Sequence, residues 1–482
     1  VPILFPRTSK IINLIIMALH ISYWCEKVWL GHKWADGVQI DVSADGFIND
    51  VIECAEIGKS ERISGFVLPG MPNLHSHAFQ RAAAGFTEQR ISNSELPDSF
   101  WTWRKVMHAF VTRLTPEDNE AIAAQLYVEM LKAGYTAVGE FHYLHRDTEG
   151  QSYDDPCEMS NRILSAAERS GIGLTILPVL YSVGGYGGVP INDGQRRYIL
   201  GEDEFLHLVR RLCTECAHNP QIGIGIAPHS VRQVPEGPLT EVLNGFQRLS
   251  TDGCIHIHAS EQVRDVDEHL KYTGNRPVEW LFNNVDVDSR WCVVHATHVN
   301  DDEIKALANS GAVVGLCPST EGNLGDGIFP LTEYLKAEGS WGIGSDSHVS
   351  ISPWEELRWL EYVQRLVARV RNVAAPTMGG STGVRLFADA IAGGAQALGR
   401  PIGAISVGKR ADLIVLDADH PQFFGHKGST LIDALIFSGN NNPVSHVMCG
   451  GKWVVRDKVH TDEVKIAADF RSAISRLMSE AL

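Results

Sequence analysis

The sequence predicts an α/β fold, a (β/α)8 TIM-like barrel with a small β-sandwich domain built from both chain termini. Eight apolar, strand-like runs recur through the centre of the chain, and helical patterns separate most of them. Both chain ends carry shorter runs that alternate apolar and polar residues around glycine-containing turns. The 482 residues accommodate a barrel of about 250 residues or more and a smaller module. A doubly wound open sheet is the alternative, but no GxGxxG fingerprint supports it.

The terminal runs define the smaller module. Near the start they read HISYWCEKVWL, GVQIDVSADGFINDV and SERISGFVLPG, and after residue 401 they read GAISVGKRADLIVLD and SHVMCGGKWVVRDKVH. We expect residues 17–66 and 402–460 to form the sandwich and residues 67–401 to form the barrel. Residues 461–482 show the pattern of an amphipathic helix. Residues 1–16 precede an internal methionine and are expected to be a leader or a non-native extension.

The central runs supply the expected barrel strands. The clearest of the intervening helices follows Thr115, a preferred N-cap residue, with Pro116 at its first position and Gly134 at its end. The eight runs read, in chain order, GFVLPGMPNLHSH, TAVGEFHYL, GLTILPVLYS, IGIGIAPHS, CIHIHASE, WCVVHATH, AVVGLCPST and WGIGSDSH.

Polar residues capable of chemistry stand at the ends of these runs. A parallel barrel builds its active site at the carboxyl ends of its strands, so the pattern predicts one shared site. The residues are His75 and His77, His142 and Tyr143, His229, His258 and Glu261, His295 and His298, and Asp346 and His348.

The charge balance and the cysteines restrict the partners and the compartment. The 42 lysines and arginines against 58 aspartates and glutamates give a net charge of −16. This charge argues against nucleic acid or an anionic membrane as the main partner, whereas local arginines still permit a small anionic substrate. Nine cysteines are scattered without a disulfide framework, and Cys213 and Cys216 form a lone CxxC. This usage indicates a reducing, cytoplasmic location.

The HSH segment predicts half of a metal site. Residues i and i+2 of a strand point the same way, so His75 and His77 can bind one ion. His258 is expected to be the third ligand, because Glu261 follows it by three residues at the strand end. Asp346 ends the eighth run and adds an anionic oxygen. Three imidazoles and one carboxylate suit Zn²⁺, with Fe²⁺ and Mn²⁺ as the alternatives.

This assembled pattern resembles the amidohydrolase superfamily, and the resemblance spans nearly the whole chain after about residue 20. It implies the barrel with its β-sandwich, and the four metal ligands named above. Binuclear members carry a metal-bridging lysine at the end of the fourth strand, where this chain reads IGIGIAPHS, so one Zn²⁺ per chain is implied. Members are often dimers, so a homodimer is expected as well.

The pairing of His258 with Glu261 resembles the deaminase branch of that superfamily. The resemblance implies that Glu261 delivers a proton to the leaving nitrogen and that Asp346 accepts a proton from the attacking water. His295 ends the sixth run and is expected to orient the nucleophile or the intermediate. With a metal that activates the water, these parts suit hydrolysis of a C–N bond at an sp² carbon.

Longer segments resemble the formiminoglutamate deiminases of histidine degradation. The resemblance implies N-formimino-L-glutamate as the small anionic substrate, with N-formyl-L-glutamate and ammonia as products. Arg104 and Arg232 are then the partners of its two carboxylates, and Gln80, Tyr143 and His229 are polar neighbours. The segments are HSHAFQRAAAG, SFWTWR, EMLKAGYTAVGEFHYLH, APHSVRQV, STEGNLGDGIFP and GIGSDSHVS.

Other functions compete with this one. Another deaminase of the superfamily, acting on a nucleobase or on a related formimino amino acid, would use the same metal ligands. An N-acyl amino acid hydrolase would cleave the amide, and a non-catalytic scaffold would have lost the ligands, all of which are present. The glycine-rich segment VGGYGGVPINDGQRRY is either a lid over the site or a plain flexible loop.

Overall fold

The computed structural model of the chain describes residues 20–89 and 98–479. The expectation for residues 1–16 lies outside this part of the chain.

The strands fall into two groups, one from the chain ends and one from the centre. In chain order they are β1 (His20–Trp29), β2 (Trp34–Ser43), β3 (Ile48–Ile52), β4 (Glu61–Pro69), β5 (Met71–Ser76), β6 (Tyr135–His142), β7 (Gly173–Leu180), β8 (Ile222–Ile224), β9 (Ala227–Pro228), β10 (Ile255–Ala259), β11 (Trp291–His295), β12 (Val313–Leu316), β13 (Ser340–Ile343), β14 (Leu413–Leu416), β15 (Val444–Cys449), β16 (Lys452–Arg456) and β17 (Val459–His460).

Helices separate most of the central strands. They are α1 (Phe100–Val111), α2 (Pro116–Ala133), α3 (Glu158–Ser170), α4 (Glu202–Glu215), α5 (Glu236–Leu249), α6 (Val263–Thr273), α7 (Pro277–Asn284), α8 (Asp301–Ser310), α9 (Pro318–Leu324), α10 (Leu331–Lys336), α11 (Pro353–Ala368), α12 (Thr382–Ala397), α13 (Thr430–Phe437) and α14 (Glu463–Ser479). Short 3-10 turns cover Ala78–Ala83, Asp193–Gln195 and Pro421–Phe423.

Both chain ends meet in one eight-stranded sheet, as their alternating patterns predict. Its order is β17-β16-β15-β14-β4-β1-β2-β3, so strands from the start and the end of the chain pair directly between β14 and β4. The β1–β4 pair is parallel and the other pairs of this sheet are antiparallel. Strand β4 runs to Pro69 and β5 begins at Met71, so this sheet leads straight into the central strands.

The eight central runs all form parallel strands, as predicted. Strands β5 to β8 form one parallel ladder, in which β9 continues the fourth run and pairs with β7, and β10 to β13 form another. Parallel bridges Ile226↔Ile255 and Ser230↔His258 join the two ladders on one side, and the bridge Ser76↔Asp346 joins them on the other. Because the strands are parallel, their carboxyl ends meet at one edge.

The caps predicted for the helix after Thr115 are confirmed. The Thr115 hydroxyl accepts a hydrogen bond from the Asp118 amide at 3.2 Å, and the Asp118 carboxylate accepts one from the Thr115 amide at 2.9 Å. Pro116 opens the helix, where a missing N–H costs nothing. Gly134 ends it with φ of 109°, a conformation that glycine adopts without strain.

Helix α12 lies very close to the parallel strands. A Cβ at Gly393 would fall on the carbonyl group of Trp341, and one at Gly394 would come within 2.9 Å of the Pro72 side chain. Gly342, on β13, faces Leu74 and the same helix. Small residues therefore set the distance between this helix and the strands that carry the site.

The nine cysteines are all free thiols, and Cys213 lies within α4. Across the two described ranges, no helix has the length and apolar character that crossing a membrane requires.

Candidate active site and metal centre

The carboxyl ends of the parallel strands surround one cavity that brings the predicted site residues together. The predicted metal, catalytic and substrate-binding residues all line this cavity except His75, which is fully buried. Three other strand-end residues lie outside the lining: His142, His298 and His348. The lining side chains are His77, Gln80, Phe100, Trp103, Arg104, Met107, His108, Tyr143, Tyr181, Tyr198, His229, Arg232, His258, Glu261, His295, Leu324 and Asp346.

Four ligand atoms converge at the floor of the cavity. Nε2 of His75 lies 3.1 Å from Nε2 of His77 and 3.1 Å from Nε2 of His258. Oδ1 of Asp346 lies 3.3 Å from Nε2 of His77 and 3.5 Å from Nε2 of His75. A tetrahedral ion with bonds of about 2.0 to 2.2 Å holds its ligands about 3.3 to 3.6 Å apart. The spacing of the His75, His77 and Asp346 atoms therefore fits one metal ion, and His258 adjoins this group through His75.

The hydrogen bonds of two of these histidines leave the inward nitrogens available. Nδ1 of His77 donates to the carbonyl oxygen of Phe141 at 3.0 Å, and Nδ1 of His258 donates to that of His229 at 3.0 Å. Burial lowers the pKa of both imidazoles, so they are neutral near pH 7. Each ring then presents an unprotonated Nε2, which is the form that binds a metal.

Backbone strain at the strand ends turns functional side chains toward the cavity. Asp346 has φ of 43° and His295 has φ of 68°, both in the left-handed region. The Asp346 amide donates to the carbonyl oxygen of His75 at 3.1 Å, and the His77 amide donates to that of Asp346 at 3.2 Å. These two bonds hold the aspartate against the HSH segment despite the strain.

A second group of ionisable side chains lies beside the ligand atoms. Nε2 of His295 is 3.8 Å from Oε1 of Glu261 and 3.9 Å from Oδ2 of Asp346, and its Nδ1 is 3.4 Å from Oε1 of Glu321. Burial opposes protonation of His295, but these carboxylates outweigh it and raise its pKa to about 10. Burial also raises the pKa of Glu261 above its ordinary value, which favours the protonated carboxyl group.

Two arginines define the other side of the cavity. Nη1 of Arg232 donates to Oδ1 of Asp265 at 2.9 Å, and its buried Nε has no partner among the described residues. Nη2 of Arg104 donates to the Tyr181 hydroxyl at 3.1 Å. Both guanidinium groups lie near the Trp101 ring, at 5.6 Å for Arg232 and 5.9 Å for Arg104. Each arginine thus has a support on one side and faces the cavity with the other.

Polar groups lie between the arginines and the ligand atoms. Nε2 of Gln80 donates to the Tyr143 hydroxyl at 3.0 Å, and the buried Oε1 of Gln80 has no partner within the described ranges. Burial and the neighbouring Arg232 lower the pKa of His229 well below its usual value, so this ring is neutral. Neutral donors and acceptors here can orient a substrate between the two ends of the cavity.

A profile of the amidohydrolase family matches residues 66–454. The chain belongs to the amidohydrolase family. It is accordingly a hydrolase that acts on a C–N bond.

Individual relatives extend this result. The chain is 50% identical to the formimidoylglutamate deiminase of Pseudomonas aeruginosa over 95% of its own length and 99% of that protein. A crystal structure of an amidohydrolase from Brucella melitensis is 42% identical and superposes with a TM-score of 0.89, covering 95% of this chain and 100% of that one. An adenosine deaminase from Xanthomonas campestris with bound zinc shares the fold, with a TM-score of 0.78, 21% identity and coverage of 96% and 99%.

One buried acid of this amidohydrolase was missed by sequence reasoning. Glu140 accepts hydrogen bonds from the Ser76 hydroxyl at 2.6 Å, the Ala78 amide at 2.7 Å and the Tyr127 hydroxyl at 3.1 Å. Burial raises its pKa to about 7. It binds the Ser76 side chain and the Ala78 amide, the two neighbours of His77 in the chain. The signal was an acidic residue inside the otherwise apolar run TAVGEFHYL.

Two further acids come from the segment STEGNLGDGIFP, for which the sequence offers a family resemblance and no assigned residue. Oε1 of Glu321 accepts the Cys317 amide at 3.0 Å and faces His295. Asp326 accepts a hydrogen bond from Gln262, and burial and Glu261 raise its pKa to about 9. Their contacts join the loop after β12 to the ends of β10 and β11.

Some strand-end residues do not take part in the cavity. His142 packs against His145, with ring centroids 5.6 Å apart, on the other face of β6 from Phe141. His348 lies behind the HSH segment, where its Nε2 is 3.2 Å from the His77 amide and its Nδ1 is 3.0 Å from the Ser345 hydroxyl. It supports the strand end and lies outside the cavity lining. Alternation along a strand explains why adjacent residues separate in this way.

Proposed function

We propose that this amidohydrolase hydrolyses N-formimino-L-glutamate to N-formyl-L-glutamate and ammonia. The observation that carries the proposal is one cavity with a convergent His/Asp ligand set at its floor and two arginines at its side. Such a cavity matches a substrate with a hydrolysable formimino carbon and two carboxylates. The 50% identity to a formimidoylglutamate deiminase over 95% of the chain supports the same substrate.

We assign one Zn²⁺ ion per chain to His75, His77, His258 and Asp346. The spacing of the His75, His77 and Asp346 atoms, the contact of His258 with His75 and the neutral imidazoles support this assignment. Bound there, the ion supplies a Lewis acid that lowers the pKa of a coordinated water toward about 7. The structure of the Xanthomonas campestris adenosine deaminase contains zinc, which is a property of that protein. Fe²⁺ and Mn²⁺ also suit a donor set of imidazoles and one carboxylate.

The proposed proton steps use three side chains. Asp346 accepts a proton from the water as the water oxygen bonds to the formimino carbon. Glu261 passes this proton to the terminal nitrogen. The second water proton reaches the same nitrogen through these two carboxylates as the new hydroxyl group becomes the formyl C=O, and the carbon–nitrogen bond breaks to release ammonia. His295 hydrogen-bonds the reacting oxygen and keeps it in line, and its Nε2 lies within 4 Å of both carboxylates. The burial that raises the pKa of Glu261 supports its role as a proton carrier.

The proposed substrate position follows from the charges. Arg104 and Arg232 pair with the two carboxylates, and Gln80, Tyr143 and His229 hydrogen-bond the part of the substrate between them. Support comes from the free Oε1 of Gln80 and the free Nε of Arg232 among the described residues. A nucleobase would gain little from two guanidinium groups, which is why we favour a linear dicarboxylate.

Ammonia release tests the function directly. We expect rapid release from N-formimino-L-glutamate, slower release from N-formimino-L-aspartate, whose shorter chain cannot span both arginines, and none from guanine. Formamide release with free glutamate as co-product would instead identify an N-acyl amino acid hydrolase. Activity on guanine alone would identify a nucleobase deaminase.

We further propose the architecture implied by the family resemblance. The parallel strands β5 to β13 form a closed (β/α)8 barrel over residues 67–401, and the terminal sheet belongs to a β-sandwich of residues 17–66 and 402–460, followed by the helix in 461–482. Bridges on both sides of the two parallel ladders support closure. A crystal structure with continuous density for these strands tests it.

The cellular setting is proposed as well. We place the enzyme in histidine degradation, in the cytoplasm, as a homodimer. Free cysteines throughout the chain are consistent with a reducing compartment. Sedimentation of the purified protein tests the homodimer, and accumulation of formiminoglutamate in a deletion strain fed histidine tests the pathway.

A further inference from the structure

The glycine-rich segment after β7 contacts both candidate substrate arginines through one intermediate side chain each. We define residues 182–195 as the glycine loop, which contains five glycines. Its tip is exposed, with Val189 at 52% and Ile191 at 40%, whereas Gln195 at its end is buried. A loop with an exposed tip and fixed ends next to a cavity has the character of a closing element.

The first connection runs to Arg232. The hydroxyl of Tyr186 donates to Oδ1 of Asp265 at 2.9 Å, and the same oxygen accepts Nη1 of Arg232 at 2.9 Å. The two charged side chains are only 8% and 7% exposed. A buried pair of this kind is strongly oriented, because a displaced partner would leave an uncompensated charge. Asp265 therefore relays the position of Tyr186 to Arg232.

The Tyr186 ring is itself held on α6. Its centroid lies 5.3 Å from the His269 ring and 6.0 Å from the Tyr272 ring. Gly187 lies next to Tyr272, where a Cβ would be 3.5 Å from the ring, and has φ of 74°. The loop thus rests on the helix that carries Asp265.

The second connection runs to Arg104. Nε2 of Gln195 donates to the Tyr181 hydroxyl at 2.6 Å and to the Gly184 carbonyl oxygen at 3.2 Å. The Tyr181 hydroxyl also accepts Nη2 of Arg104 at 3.1 Å. Gln195 consequently ties the base of the loop to the side chain that supports the other arginine.

We propose that Tyr186, acting through Asp265, is a positioning residue for Arg232, and that a dicarboxylate on the arginines stabilises the glycine loop in this seated position. Asp265 holds one edge of the guanidinium group and leaves Nε free for a carboxylate. A substrate that fixes Arg232 also stabilises the positions of Asp265 and Tyr186. By thermodynamic linkage, a glycine loop held in its position on α6 raises the affinity for the substrate. This inference rests on the proposed dicarboxylate substrate and adds the residue that orients its recognition.

Tyr186→Phe in the full-length, metal-loaded enzyme tests the position. It removes one hydroxyl and keeps the ring contacts, so we expect KM for N-formimino-L-glutamate to rise about 3- to 10-fold with kcat within about twofold. Asp265→Asn should raise KM further. Tyr272→Phe, which removes a hydroxyl from a side chain that is 61% exposed, is the matched control and should leave KM unchanged.

Two truncated substrates separate positioning from a general structural role. N-formimino-L-norvaline lacks the side-chain carboxylate, and 4-formimidamidobutanoate lacks the α-carboxylate. One of these analogues lacks the carboxylate that Arg232 binds, and its KM should not change in Arg232→Ala. The KM of the same analogue should also not change in Tyr186→Phe. Equal losses on all three substrates, or no loss on any, would overturn the proposal.

Binding of glutarate, a bare dicarboxylate, gives a readout without turnover. Calorimetry should show weaker glutarate binding by Tyr186→Phe than by the wild type, and hydrogen exchange of the glycine loop should slow when glutarate is added to the wild type. If the wild type binds glutarate yet releases no ammonia from N-formimino-L-glutamate, the proposed function fails. The glutarate titration still decides whether Tyr186 is coupled to Arg232. Unchanged glutarate affinity in Tyr186→Phe, or no glutarate binding by the wild type, contradicts the coupling.

Discussion

Glu261 and Arg232 line the same cavity, and their surroundings suit the different tasks proposed for them. Glu261 has its pKa raised by burial and faces His295 at 3.8 Å, which suits a group that gains and loses a proton. Arg232 is paired with Asp265 and keeps its charge, which suits a fixed binding group. Substitutions at these two residues should therefore change different kinetic constants.

Glu261→Gln should retain the metal and lose most of its turnover. The amide keeps the shape of the side chain and cannot carry the proton, so we expect kcat to fall about 10²- to 10⁴-fold with one metal ion still bound. Metal analysis and ammonia release on the same sample provide the measurement. Glu268→Gln on the exposed face of α6 is the control, and near-normal kcat in Glu261→Gln would remove the proton role.

Arg232→Ala should chiefly raise KM. Loss of a charge-assisted pair with a substrate carboxylate predicts an increase of about 10- to 100-fold. Because the substitution leaves Asp265 buried without its partner, the double variant Arg232→Ala/Asp265→Asn separates lost binding from lost stability. Arg248→Ala on the exposed side of α5 is the control. An unchanged KM in both variants would exclude Arg232 from substrate binding.

Helix α12 shows how an element far from the chemistry sets the geometry of the site. It contacts β13 and β5, the strands that precede Asp346 and carry His75. Glycines at 393 and 394 allow this approach, because a side chain at either position would meet the backbone or the proline of the facing strand. The strand ends therefore depend on close packing behind them.

Gly393→Ala should destabilise the fold. The added methyl would overlap the Trp341 carbonyl group and force the helix away from β13, at a cost of about 1 to 3 kcal/mol. Thermal unfolding monitored by circular dichroism measures the loss. Gly237→Ala in α5, where a Cβ meets no neighbour within 4 Å, is the matched control and should be neutral or slightly stabilising. Equal melting temperatures for both variants would contradict the packing argument.

At the scale of the whole molecule, a buried acid that is not among the proposed metal ligands makes stability depend on pH. Glu356 on α11 accepts the Ser319 amide at 2.8 Å and the Ser319 hydroxyl at 2.5 Å, at the start of α9. Burial raises its pKa from 4.5 to about 8. The folded protein thus holds a proton that the unfolded chain has released between those values. Its contribution to stability is fully present below pH 4.5 and is lost as pH rises through about 8.

Glu356→Gln should reduce this loss. The amide cannot ionise, so between pH 6 and pH 8 its free energy of unfolding should decline by about 2 to 3 kcal/mol less than that of the wild type. Urea unfolding at several pH values measures the difference. Glu236→Gln on the exposed start of α5 should keep the wild-type dependence. Parallel pH profiles for Glu356→Gln and the wild type would show that Glu356 is already ionised in the folded state.

Metal content is another property of the whole chain. We expect about one ion per chain, because the fourth central strand and its continuation end at Pro228 without a lysine. Elemental analysis after gel filtration measures the ratio. Removal of the ion with a chelator should abolish ammonia release and lower the melting temperature, since the ion binds the folded state. Two tightly held ions per chain would contradict the mononuclear assignment.

The strands, the caps of α2 and the meeting of both chain ends in one sheet were predictable from the sequence. Each depends on local chemistry, such as apolar runs, a threonine before a proline, or a glycine in a left-handed turn. Several of the polar strand ends also line the cavity, because parallel strands bring their carboxyl ends to one edge, whereas His142, His298 and His348 lie outside it.

The supports of these residues were decided only by the tertiary structure. Glu140 binds Ser76 across 64 positions of the chain, and Asp265 joins Tyr186 to Arg232 across distances of 79 and 33 positions. No local sequence pattern predicts these contacts, because they depend on which strands are neighbours and how the loops cross them. The sequence by itself predicted the candidate reacting groups and their order along the chain, and the packing of distant segments decided which side chains hold them in place.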